Sequence, residues 1–380
     1  MRAVMSFSGG MDSTSVLVRL INEGYKIDCV SFNYGQKHII ELEMATKNIS
    51  YLIEKGYRIT HKIVDLSSAM SLFHSSLTKE EITVPEGYYE ESQMKSTVVP
   101  NRNAIFSSII YGYALSIVAE EDTDVKIALG VHSGDHAIYP DCRPDFYRNL
   151  EASFRTGNWD SERVEFYLPF INGDKVTILN DAIKSCQDIE VDFDTIFTNT
   201  ITSYNPDSKG RSSGKSGSDI ERILAFHKLG RRDPIEYIDS WENVLKNALA
   251  TEKKYKDEDY RNRLTEIQYD VTRNSATEQP FTGQYWDEKR DGEYLCVCCG
   301  KILFTSEMKY DSGCGWPSFF SEVEGANIEQ VEDRSHGMYR VEVKCSYCDA
   351  HLGHIFNDGP IHKGGKRYCI NSASLDFNEE

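Results

Sequence analysis

Ser6-Phe7-Ser8-Gly9-Gly10-Met11-Asp12-Ser13-Thr14-Ser15 is the stretch whose reading decides the fold. It follows an apolar run (Ala3, Val4, Met5) and precedes an amphipathic one (Val16, Leu17, Val18, Leu20, Ile21), the order of strand, glycine turn and helix start. Gly9 and Gly10 have no Cβ, so the backbone can approach a polyphosphate and aim its N–H groups at it. Asp12, Ser13 and Thr14 then occupy the first helical turn, where unpaired N–H groups and the positive end of the dipole favour an anion. Ser8, Gly9, Gly10, Met11, Asp12 and Ser13 are the expected phosphate-binding residues.

Working outward, Ile27, Cys29, Val30 and Phe32 form a buried-strand pattern, Thr60–Val64 a second, and Lys126–His132 a third running into the polar loop Ser133–Arg143. Helix-like segments separate them, the longest entered through Pro100-Asn101-Arg102-Asn103. This alternation predicts a doubly wound parallel α/β sheet, with ligands at the carboxyl ends of its strands.

The chain has 380 residues, more than one core usually sustains, so two domains are expected. Its formal charge is −18 without a long Lys/Arg block, which argues against an extended nucleic-acid footprint. No apolar run reads as membrane-spanning and no basic, apolar leader opens the chain, so cytoplasm is the expected compartment. Of ten cysteines, Cys296, Cys298, Cys299, Cys314, Cys345, Cys348 and Cys369 crowd the C-terminal part. In a reducing compartment such crowding points to metal or thiol chemistry rather than a disulfide framework.

Ser-Gly-Gly-x-Asp-Ser between strand and helix resembles the loop of the PP-loop ATP pyrophosphatases, with their adenine nucleotide alpha hydrolase-like fold. Tyr34-Gly35-Gln36, Pro100–Asn103, Tyr139-Pro140-Asp141-Cys142-Arg143 and Pro169 followed by Lys175 extend the likeness to the 7-cyano-7-deazaguanine synthase (QueC) family, over roughly residues 1–238. The resemblance implies ATP, with Mg2+, and conversion of a 7-carboxy-7-deazaguanine acid to the nitrile with ammonia by way of the amide. Arg102, Arg143 and Lys175 suit carboxylate, phosphate and developing charge, Lys175 as a catalytic group. Asp141 suits a guanine-like edge, since a carboxylate accepts two adjacent N–H donors. Cys142 reads as a packing residue or minor contact. An amine other than ammonia as acceptor, including one on a protein, and a non-catalytic nucleotide scaffold remain alternatives. A thiolating RNA enzyme is disfavoured, because no catalytic cysteine pair or basic module accompanies the loop. A homodimer through this domain is also an expectation.

The family carries four zinc-binding cysteines before its final helix; the matching positions here are Ser203, Ser213, Ser216 and Asp219. Hydroxyls are poor zinc ligands. No zinc is therefore expected in the first domain, whose Ser/Gly/Lys loop must be held by hydrogen bonds and packing or stay mobile. The expected boundaries are a first domain at 1–240, a charged helical linker at 241–262 and a second domain at 263–380.

In the last third, Cys296-Val-Cys-Cys299 and Cys345-Ser-Tyr-Cys348 form two Cys-x-x-Cys knuckles, the spacing with which two thiolates share a tetrahedral zinc. Cys298 reads as a spare thiol. Ser312–Phe319 around Cys314 and Trp316, His351–Gly359, and Arg367–Ser374 around Cys369 resemble methionine sulfoxide reductase B (MsrB), with Thr277–Gly283 its N-terminal part. The resemblance implies a small, mainly β, zinc-containing domain acting on methionine-R-sulfoxide, free or in protein, and recycled by thioredoxin. Cys369, held as thiolate by Arg367 and the histidines, is the expected nucleophile and Cys314 the resolving thiol. His354 and His351 are the expected proton donors with Asn371 and Asp358 as orienting partners, and Trp316 an apolar wall for the methyl group.

Overall fold

The computed structural model describes residues 1–37, 39–79, 82–87, 95–133, 139–203, 206–326, 328–334 and 339–379. Residues 134–138 of the expected polar loop, and 204–205 beside Ser203, lie outside that set. The chain divides into two compact units, Met1–Lys253 and Lys254–Glu380.

The first unit is built on β1 (Arg2–Ser6), β2 (Lys26–Asn33), β3 (Ile59–Asp65), β4 (Val125–Ala128) and β5 (Val164–Tyr167). They form a parallel five-stranded sheet in the order β3-β2-β1-β4-β5. The chain leaves β1 toward β2 on one side and returns beside it as β4 on the other, so the strand order reverses between β1 and β4. That reversal opens a crevice at their carboxyl ends, where the glycine loop emerges. Gly130, just past β4, lies against the loop so closely that a Cβ would meet Ser13 N at 2.7 Å. Gly9 does the same on the other flank: its φ is +78°, and a Cβ would meet the Ala45 Cβ at 2.8 Å.

One segment, Lys95–Glu121, is long and apolar enough by length and composition to cross a membrane, with mean hydropathy 1.2, contrary to the reading above. Its helix Arg102–Glu121 packs on β1, β4 and β5 and buries Ile110, Tyr111, Ala114, Ile117 and Val118 in the core, which accounts for its composition.

The second unit holds β6 (Gly292–Cys296), β7 (Ile302–Thr305), β8 (Lys309–Tyr310), β9 (Ser318–Phe319), β10 (Ile328–Asp333), β11 (Arg340–Cys345), β12 (His351–Phe356), β13 (Arg367–Ile370) and β14 (Leu375–Glu379). A six-stranded sheet runs β10-β11-β12-β13-β9-β8 and a three-stranded one β14-β6-β7, with antiparallel pairings throughout. Tyr294, Phe304 and Phe319 fill the core, the two phenylalanines stacked at 4.2 Å. The expected linker is a continuous helix, Trp241–Arg263. Val244 and Ala248 pack in a cluster of the first unit, and Tyr260 belongs to the core of the second.

Candidate functional site

In the first unit a cavity of about 300 Å³ opens where β1 and β4 end. Ser8, Gly10, Met11, Asp12 and Ser13 line it, as do Arg102, Asp141 and Lys175. Ser8 Oγ accepts from Gly10 N at 3.2 Å and lies 3.0 Å from Ser13 Oγ, which fixes the turn from within. No side chain caps the helix at Gly10, which leaves its N-terminus directed at the cavity for an anion. Gly9 supports the loop from behind and does not line the cavity. Arg143 departs from expectation. The 3₁₀ turn Pro140–Cys142 leads directly into the helix Pro144–Gly157, which carries Arg143 to an exposed position off the cavity wall, while Asp141 stays on it.

Lys175, only 5 % exposed, is the hub of a charged cluster. Its Nζ lies 3.4 Å from Asp12 Oδ2, 3.1 Å from His132 Nε2 and 3.7 Å from Glu221 Oε2. Burial pushes the Asp12 carboxyl up, but Lys175 and His132 outweigh it and hold the group below the ordinary carboxylate range. Asp12 Oδ1 is buried without a hydrogen-bond partner among the described residues, which fits a cation or phosphate-bound ligand completing its shell. His132 and Glu221 have no role in the sequence reading; one follows β4 and the other lies one turn into the helix Gly217–Lys228. Phe32 and Phe106, stacked at 4.1 Å, also line the cavity and present an apolar wall to a flat base. Burial drives the Cys142 thiol up to about 12, in keeping with a packing role.

In the second unit, Cys296, Cys299, Cys345 and Cys348 place all four sulfurs within 4.8 Å of one another. Cys296 and Cys348 are 3.6 Å apart and Cys299 and Cys345 3.7 Å. Four sulfurs on a tetrahedral zinc at ordinary bond length stand about 3.8 Å apart, so this donor set fits zinc. Each knuckle turns through a residue with positive φ, Gly300 (+71°) and Asp349 (+56°), which lets both thiols of a pair face one point. Cys298 is buried nearby but outside the group.

Cys314 and Cys369 face each other at 3.6 Å. Ser312 Oγ donates to Cys314 Sγ at 3.1 Å, and Ser318 Oγ lies 3.4 Å from it. Burial works against ionisation of Cys314, but these hydrogen bonds prevail and lower its pKa. Burial and the charge of Cys314 push Cys369 up to about 12, and Arg367 pulls the other way without prevailing. The two thiols are therefore driven in opposite directions, Cys314 toward the thiolate and Cys369 toward the neutral thiol, whereas the sequence reading expects Arg367 and the histidines to favour the Cys369 thiolate.

The histidines also have other partners than expected. His351 Nδ1 meets Glu342 at 2.6 Å and His354 Nε2 meets Asp333 at 2.9 Å. Asp358 instead forms a two-pronged pair with Arg367, both contacts at 2.8 Å. Asn371 accepts from Glu278 N at 3.1 Å and donates to Leu352 O at 3.1 Å, so it anchors backbone rather than a histidine. His354 is nonetheless directly opposite Cys369 in the β12–β13 register, and burial lowers the pKa of His351. Trp316 is half-buried, its Nε1 donating to Glu278 O at 3.1 Å, which anchors the indole, while its backbone carbonyl accepts from Cys314 Sγ at 3.6 Å. Glu278, within Thr277–Gly283 but given no role there, is a buried carboxylate accepting from Ser372 N (2.6 Å) and Ala373 N (2.9 Å) just past the Cys369 strand.

The family model described as queuosine biosynthesis protein QueC matches residues 2–230, and the SelR domain model matches residues 264–379. A 7-cyano-7-deazaguanine synthase from Pseudoalteromonas translucida is 40% identical over 236 residues, covering 62% of this chain and 98% of the relative. One from Caldicellulosiruptor saccharolyticus is 43% identical over 237 residues, covering 62% and 96%. The peptide methionine sulfoxide reductase MsrB of Hahella chejuensis is 58% identical over 125 residues, covering 33% of this chain and 89% of its own length. A phosphate-loop unit and a thiol-pair unit with a four-cysteine centre thus lie in one polypeptide, which belongs to the 7-cyano-7-deazaguanine synthase (QueC) family through its first unit and to the MsrB family through its second.

Proposed function

We propose that the first unit is a 7-cyano-7-deazaguanine synthase using ATP and ammonia, and that the second reduces methionine-R-sulfoxide with thioredoxin as reductant. The observation that carries the first part is the buried Lys175, held between Asp12 and Glu221 at the mouth of the glycine loop. Activating a carboxylate with ATP builds negative charge on the transferred group and the departing pyrophosphate, which a fixed ammonium and helix N–H groups stabilise. Asp12 Oδ1 is the candidate Mg2+ contact. The acid becomes an adenylate with loss of pyrophosphate; ammonia displaces AMP, giving the amide and a proton. A second ATP activates the amide oxygen, and loss of the remaining N–H protons with departure of AMP leaves the nitrile. The stacked Phe32 and Phe106 and the Asp141 carboxylate are the candidate purine contacts.

In the second unit the Cys314–Cys369 pair carries the reading. Cys369 attacks the sulfoxide sulfur with His354 as proton donor; methionine leaves and the oxygen stays on Cys369 as sulfenic acid. Cys314 displaces that oxygen as water and forms a disulfide, which thioredoxin reduces. Zinc belongs to this unit's four-cysteine centre in a structural role, and Trp316 walls the methyl group. A need for ATP, ammonia and a thiol reductant supports the cytoplasm as the chain's compartment.

The test is mass spectrometry of the products formed by the full chain with ATP, 7-carboxy-7-deazaguanine and ammonia. The nitrile is the expected product. Accumulation of amide alone, or of no product beyond adenylate, would overturn the synthase assignment.

A further inference from the structure

Around the positions where the family carries zinc-binding cysteines, the chain gathers Ser203, Ser216 and Asp219, with Ser212 rather than Ser213 as the fourth member. Asp219 Oδ1 accepts from Ser212 Oγ at 2.7 Å. Its Oδ2 accepts from Ser216 Oγ at 2.7 Å, Ser203 Oγ at 3.0 Å and Ser216 N at 3.2 Å. Ser213 stands apart, its hydroxyl accepting from Lys215 N at 3.3 Å. This set does not fit zinc. Cation ligands converge their lone pairs on an open centre, whereas here the centre is the carboxylate and the hydroxyl protons point at it. Ser203, Ser212, Ser216 and Asp219 are each at most 3 % exposed, so the arrangement is a sealed hydrogen-bonded knot.

We infer that Asp219 is a positioning residue for the ATP-dependent reaction, doing with four accepted hydrogen bonds what a bound ion would do for this loop. The inference rests on the synthase reading of the first unit. Its route to the site is short. Ser203 and Ser218 both line the cavity, and Ser218 Oγ donates to Thr202 O at 2.9 Å. Ser216 and Asp219 form the reciprocal cap of the helix Gly217–Lys228, and Glu221, two residues past Asp219, reaches Lys175 at 3.7 Å. The next residue, Arg222, is wholly buried and ties the helix to Asp233 (2.6 Å) and to Thr200 (2.8 Å) and Thr202 (2.9 Å). With three serine hydroxyls and the Ser216 backbone N–H as its four donors, the knot holds the helix start and thereby the carboxylate that flanks Lys175. Without the knot, Glu221 loses its fixed place.

The experiment is a double-mutant cycle in the full chain with metal analysis. Asp219→Asn keeps the shape but turns an N–H2 group toward hydroxyl donors. It is expected to lower kcat/KM for nitrile formation about 30-fold, with a further loss below about 3-fold in a Glu221→Gln background, since the effect passes through Glu221. Ser213→Ala, outside the knot, is expected to leave the rate within about 2-fold. Zinc is expected at about one per chain in the wild type and in each variant. Losses that multiply independently in the two backgrounds would overturn the positioning role, and a second zinc lost on Asp219→Asn would overturn the knot itself. Should Asp219→Asn fail to fold, Ser212→Ala removes one donor and carries the same cycle. A wild type that yields no nitrile would defeat the synthase reading, while the zinc count would still decide what holds the loop.

Discussion

Cys369→Ser is expected to abolish sulfoxide reduction, with a loss on the order of 10⁴-fold or more, while the four-cysteine centre keeps its metal. A serine hydroxyl at neutral pH is neither ionised nor polarisable enough to attack a sulfoxide sulfur, and no other thiol among the described residues is within 3.6 Å of that position save Cys314. Hydrogen bonds from Ser312 and Ser318 favour ionisation of Cys314, so an alternative exists in which Cys314 is itself the attacking group. The paired variant decides between them. Cys314→Ser is expected to release one methionine per chain and then stop, its Cys369 left as sulfenic acid with thioredoxin-driven turnover lost. The reverse pattern, a single turnover by Cys369→Ser and none by Cys314→Ser, would exchange the two roles. Quantifying methionine in single-turnover mixtures, with and without thioredoxin, reads both outcomes.

The electrostatics give that exchange a physical basis. The two sulfurs lie 3.6 Å apart, and a thiolate formed on Cys369 has its charge beside Arg367. Arg367 is held by both oxygens of Asp358, so its guanidinium is fixed in direction but partly neutralised. The residue expected to make the thiolate is thus tempered by the residue expected to orient a histidine.

Short-range features were readable from the chain because they need no knowledge of distant partners. The glycine loop, both cysteine knuckles and the alternation of strand and helix depend on neighbours within a few residues, and each lies where its spacing implies. What stayed hidden was brought in from afar. His132 and Glu221 reach Lys175 only because β4 and the helix Gly217–Lys228 end on the same side of the sheet. Asp358 is expected as an orienting partner for the histidines, yet Asp333 and Glu342 come from β10 and β11, whose register no local pattern specifies. Ser212 displaced Ser213 from the Asp219 knot by one residue, a distinction that spacing cannot make when both are serine. Arg143 was misplaced for a related reason: two helical segments meet at it, and the turn between them decides which way its side chain goes.

Stripping the metal from the second unit is expected to unfold that unit and leave the first one working. Structural zinc held by four thiolates contributes about 10 kcal/mol or more of folding free energy, comparable to the whole stability of a domain this size. The centre joins the end of β6 to the end of β11, strands of the two separate sheets, so its loss removes the tie between them. The first unit has its own apolar clusters, drawn wholly from its own residues, and its cavity contains none of the four ligands. Chelation of the full chain, verified by metal analysis, should therefore eliminate sulfoxide reduction and the near-ultraviolet signal of the aromatic core around Tyr294, with nitrile formation unchanged once the chelator is removed and Mg2+ is restored. Hydrogen exchange along the helix Trp241–Arg263 would show where cooperativity stops. The half carrying Val244 and Ala248 should stay protected and the half carrying Tyr260 should exchange. Retained reductase activity in demonstrably metal-free protein would mean that the strand pairing alone sustains the site, and that the four thiols are dispensable to the fold.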